Sequence, residues 1–91
     1  MCIRDRSDTD EAARRALAGH FAAWEQLLAD GFQRMRDNGT LRADADPATL
    51  SVAVMAALQG GYLLAQTAHD AGPMRVALDM ALAHVETFRA T

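Results

Sequence analysis

From Leu50 to Ala68 the chain reads LSVAVMAALQGGYLLAQTA, nineteen residues without a charge and with two adjacent glycines near its centre. The run is too long for an ordinary strand and too apolar to lie bare in water, so whatever covers it decides the fold. Projected around a helical axis at about 100° per residue, it sorts into faces. Leu50, Ala53, Ala57, Gly60, Leu64 and Ala68 fall together, with Val54 and Gly61 beside them. Small side chains at these spacings admit another helix closely, and each glycine costs a helix roughly 1 kcal/mol relative to alanine. That cost predicts a tight helix contact on this side. The opposite face presents Ser51, Met55, Gln59, Tyr62 and Gln66, uncharged yet able to hydrogen-bond. It suits either the wall of a wet cavity or a half-exposed surface. Val52, Ala56 and Leu63 on one flank and Leu58 on the other are apolar again, so two neighbouring helices cannot cover the whole circumference.

A membrane is one conceivable cover, because the uncharged run from Pro47 to His69 has the roughly 20 residues that a span needs. Ser51, Gln59, Gln66 and Thr67, the dominance of Ala and Gly over Leu and Ile, and the lack of flanking basic anchors argue against it. The expected cover is a second copy of the chain, with the second and third helices packing across an isologous interface, and no membrane partner.

Punctuation places three helices, and an all-α fold follows from a composition rich in Ala and Leu with only two prolines. At 91 residues the chain is one small domain or part of a larger one. The first helix is expected from about Asp8 to Asn38, with Ser7 or Asp8 as N-cap and Gly39 as the glycine that ends it. Leu17, Phe21, Trp24, Leu28, Phe32 and Met35 form its apolar stripe at spacings of three and four. After the loop TLRADADP, Asp46 is a good N-cap and Pro47 a good first helical residue. The second helix is expected to end near Asp70, with Gly72 as its stop and Pro73 opening a third helix. That helix repeats Met74, Ala77, Leu78, Ala81, Val85 and Phe88 on one side.

Several functions are disfavoured by content. The formal charge is −3, and no cluster of arginines stands clear of acidic neighbours, which leaves no phosphate-binding face. Cys2 is the only cysteine. His20, His69 and His84 lie on different helices or helix ends without a His-x-x-x-His pair, so no metal or other cofactor is expected. Ser7 and Ser51 sit in no nucleophile motif, and Glu25 and Asp30 read as solvated charges rather than a catalytic pair. An enzyme is not expected; a small helical enzyme would have to show turnover dependent on a residue such as His20, Glu25 or Tyr62.

The stretch RMRDNGTLRADADPATLSVAVMAALQGGYLLAQTAHDAGPMRVALDMALAHV resembles the C-terminal part of TetR-type transcriptional regulators, in the branch of lincomycin-resistance and quercetin-responsive repressors. The likeness rests on the loop Gly39 to Pro47, the helix segment Ala57 to Gln66 and the stretch Asp70 to Asp79, in that order and spacing. The preceding FAAWEQLLADGFQRMR is also similar. The resemblance implies a C-terminal domain of three helices whose last two form a dimeric four-helix bundle. Leu50, Ala53, Ala57, Gly60, Gly61, Leu64 and Ala68, with Met74, Ala77, Leu78, Ala81 and Val85, would make the dimer interface. Phe21, Trp24 and Leu28, with Met55, Gln59, Tyr62 and Gln66, would line a pocket for a small apolar or aromatic effector, although the core spacing of the first three favours ordinary packing over direct ligand contact. The family's N-terminal helix-turn-helix is missing, so DNA would be bound only through that absent domain, in a cytoplasmic protein. MCIRDR resembles translated sequencing adapter, so residues 1–6 are expected to be a non-native or disordered leader, and residues 7–91 a partial regulatory domain. The alternative is a free-standing helical dimer that serves as a protein-interaction module.

Overall fold

The structure, a computed structural model, describes the backbone of residues 3–90 and side-chain surroundings from residue 9 onward. Three helices follow in order, α1 (Ile3–Asp37), α2 (Pro47–Ala68) and α3 (Gly72–Glu86). No strand occurs among the described residues, and one isolated antiparallel bridge pairs Leu41 with Arg89. The all-α expectation holds. α2 is the central element, packed against α1 and against α3, and the molecule is a flat slab of 60 × 30 × 14 Å.

The start of α1 differs from expectation. Its backbone is already helical at Ile3, so Ser7 and Asp8 lie inside the helix and cannot cap it, while Met1 and Cys2 lie outside the described residues. No glycine or proline stands between Ile3 and Asp8 to stop the helix, and cap residues cap only where something else ends it. At the other end the expectation holds: Gly39 takes φ of 86°, its N–H returns to the Arg36 carbonyl at 3.2 Å, and the Leu41 N–H reaches Met35 at 3.0 Å. The left-handed conformation is one that glycine adopts without steric cost.

α2 begins as its sequence dictates. Asp46 is extended, its carboxylate accepts from the Ala48 N–H at 3.1 Å and from the Thr49 hydroxyl at 2.7 Å, and Pro47 fills the first turn. The Thr49 hydroxyl, then the Ala48 and Thr49 backbone, hold the Asp46 carboxyl below its ordinary value of 3.8, against a smaller opposing effect of desolvation. A depressed folded pKa contributes stability above the unfolded value that is lost as pH falls through the folded one. Asp46→Asn, which keeps an acceptor but cannot titrate, is therefore expected to flatten the fall of Tm below about pH 4. Asp46→Ala should lower Tm at neutral pH by roughly 4–8 °C. Thermal melts of both variants across pH check the pair.

The α2–α3 turn departs from expectation. α2 ends at Ala68, and the left-handed residue is His69 at φ 53°, ψ 42°, not Gly72. Gly72 is already helical, with its N–H held by Asp70 Oδ1 at 3.1 Å, so it opens α3 rather than closing α2. Phe88 is also displaced, since α3 stops at Glu86. Beyond that end the chain turns back, Arg42 N–H donating to the Phe88 carbonyl at 2.7 Å and Ala90 N–H to Thr40 at 2.9 Å. Phe88 thereby packs with Phe32, Met35 and Val85 against the buried cluster of Leu41, Ala45 and Leu50.

Around α2, the buried positions are Pro47, Leu50, Ser51, Met55 and Gly61. The Ser51 hydroxyl, predicted on the polar face, donates to the Glu25 carbonyl of α1 at 2.7 Å and is fully buried. The uncovered arc is Val52, Ala53, Ala56, Gly60, Leu63 and Leu64.

Candidate functional site: a three-helix cleft and an open α2–α3 face

Away from the Leu41–Leu50 cluster, the three helices leave a cleft of about 460 Å³. Trp24 of α1, Leu58, Gln59 and Tyr62 of α2, and Met74 of α3 line it. Phe21 stands edge-on to Trp24, ring centroids 6.4 Å apart at 64°. The indole and the phenol are each about half exposed, 49% and 57%. Among the described residues no charged side chain lines the cleft, so it offers aromatic and thioether surface with Gln59 and the Tyr62 hydroxyl as hydrogen-bonding groups.

Of the residues proposed from sequence to line a pocket, the fold gathers Trp24, Gln59 and Tyr62 in this cleft, with Phe21 next to Trp24. Met55 is only 3% exposed, in the interior of the slab. Leu28 is half-buried on α1, and Gln66 borders a shallower depression with Tyr62, His69 and Asp70. Leu58 and Met74 line the cleft without having been assigned to it. Leu58 lies on the apolar flank beside the polar face, a position that could have signalled it; Met74 belongs to a different helix, and spacing carries no such signal.

The second feature is a groove of about 260 Å³ between α2 and α3 on the slab's open side. Leu50, Ala53, Val54 and Ala57 form one wall, and Met80, Ala81, His84 and Val85 the other. Ala53, Gly60, Leu64 and Ala68 are exposed, and a Cβ on Gly60 would meet nothing within 4 Å. Gly61 is different: a Cβ there would lie 3.0 Å from the Ala77 Cβ, 3.1 Å from the Met74 Cα and 3.2 Å from the Met74 Sδ. The close contact expected of the glycine pair is thus made within the chain, by Gly61 alone. Met74, Ala77, Leu78 and Val85 are half-buried and Ala81 is 7% exposed, while Val76 and Met80, 70% and 68% exposed, stand clear on α3.

Among the described residues no group of His, Cys, Asp or Glu is placed to hold a metal ion. Arg42 pairs with Asp44, which holds the aspartate carboxyl below its usual range, and stands 5.7 Å over the Phe88 ring. These groups brace the closed end of the slab, where Phe88 packs against the cluster that includes Leu50.

The helical slab thus carries an uncharged cleft on one part and an apolar groove on another. The family model described as "Transcriptional regulator LmrA/YxaF-like, C-terminal domain" matches residues 2–80. The chain belongs to that family, the C-terminal domains of TetR-type regulators. No curated protein and no solved structure matches it.

Proposed function

We propose that this chain is the effector-binding and homodimerising part of a cytoplasmic bacterial transcriptional repressor, unable to bind operator DNA without a helix-turn-helix domain. The observation that carries the dimer is the bare apolar face of α2 and α3, where Val52, Leu63, Leu64, Val76 and Met80 are all more than half exposed. α2 is also long and apolar enough to cross a membrane by length and composition. Family membership favours a second copy of the chain as its cover, and the effector reading follows from the uncharged, aromatic-lined cleft.

Leu64 and Met80 lie on the open face and are 61% and 68% exposed, so a charge at either leaves the single chain's packing intact. Leu64→Glu and Met80→Glu are each expected to weaken dimerisation at least tenfold by sedimentation equilibrium. Dimers of unchanged affinity in both variants would refute the interface. For the cleft, N-phenyl-1-naphthylamine, an uncharged aromatic probe, is expected to quench the emission of Trp24, the only tryptophan. Probe binding that leaves this emission unaltered would place the ligand elsewhere.

A further inference from the structure

We infer that Met74 is the coupling residue between the cleft and the open face, so that an occupant of the cleft changes how α3 crosses α2 and thereby the strength of the dimer. The inference rests on the cleft and dimer readings above and adds what joins them.

Met74 is the only α3 residue that lines the cleft. The same residue supplies the backbone and sulfur atoms packed against Gly61, where the missing Cβ leaves room for α3. Its thioether therefore touches the cleft on one side and the helix crossing on the other. A methionine side chain is supple, but here its retreat from an occupant is limited, since the space beyond its sulfur is the notch left by Gly61. Close-packed interiors pass such displacements on as shifts of whole elements. The element that must move is the first turn of α3, where Ala71 offers no side-chain cap and the Asp70 carboxylate holds the Gly72 N–H at 3.1 Å. Val76 and Met80, two and six residues further along α3, stand on the open face. Cleft and dimer face thus share one short stretch of helix.

The test uses the whole chain and N-phenyl-1-naphthylamine. In the unaltered protein a saturating concentration of probe, followed through Trp24 emission, is expected to weaken the dimer at least fivefold. By linkage, with one cleft in each chain of the dimer, the probe must bind each monomer cleft more tightly by the square root of that factor. In Met74→Ala, at saturating probe so that any change in its affinity drops out, the ratio of dimer constants with and without probe should fall to about one. Carbon-13 labelling of the methionine methyls provides a readout without substitution: the Met74 methyl signal should shift both on probe binding and on dilution to monomer, and that of Met35, in the closed-end cluster, on neither. Probe bound with the dimer constant unmoved, coupling that survives Met74→Ala, or a Met74 signal indifferent to dilution would each overturn the inference alone. Absence of probe binding would instead remove the cleft reading, and this inference with it.

Discussion

Gly61→Leu is expected to abolish the native packing of α2 on α3 and leave a chain that aggregates or melts well below the parent. The reason lies within the chain, not across a dimer. Even the single carbon of Gly61→Ala would sit 3.0–3.2 Å from the Ala77 Cβ, the Met74 backbone and the Met74 sulfur. Two of those three atoms cannot swing aside, so the helices must part by a few tenths of an ångström. Such overpacking costs about 1–3 kcal/mol, offset by up to roughly 1 kcal/mol of improved helix propensity. Leucine adds three further carbons where there is no space for one. The neighbouring glycine provides the control: Gly60→Ala has open surroundings within the chain and should leave the monomer as stable or stabilise it by up to about 1 kcal/mol. Denaturant titrations of the monomer check both, and equal effects at the two positions would show that Gly61 is not the crossing point.

The second large effect is expected at Leu50, 2% exposed and surrounded by Leu41, Ala45 and the Phe32–Phe88 group. Leu50→Ala removes buried carbon and leaves a cavity in this cluster, a loss of about 2–5 kcal/mol. A domain this small has few buried residues to share that loss, and its total stability lies at the low end of roughly 5–15 kcal/mol. The variant should therefore be largely unfolded at 37 °C, by circular dichroism, at concentrations where the parent is folded. A shift in Tm of only a degree or two would mean that the closed end is not the core.

What could be read from the sequence were the features that depend on near neighbours. Asp46 and Pro47 fix the start of α2 because cap and ring act within one turn, and Gly39 ends α1 because a left-handed residue is costly for other side chains. The same logic failed at Gly72, where a three-residue connection obliges His69 to take the left-handed conformation and the glycine falls into the next helix. Helical projection grouped the residues of α2 correctly by angle, yet it could not show which arc the chain covers itself. Ser51 proved to be buried against α1, Met55 in the interior, and Gly61 against α3, leaving Gly60 and Leu64 on the bare side. On α3 the regular stripe of Met74, Ala77 and Ala81 turned inward, and the off-stripe Val76 and Met80 were left outside. For the site, aromatic and amide side chains could be nominated, but the company of Trp24 with Met74 depends on how three helices meet.

The bridge between Leu41 and Arg89 has a kinetic consequence. Arg42 and Ala90 lie outside every helix, yet their amides are held by carbonyls of the opposite segment, 2.7 and 2.9 Å away. Backbone groups so paired exchange hydrogen with solvent only when the structure around them opens. The connecting loop and the tail behind α3 should therefore exchange together, at one rate, and more slowly than the exposed stretch of α1 from Ala12 to His20. The slab has a latch at its closed end, and the lifetime of that latch sets how often Leu50 meets water.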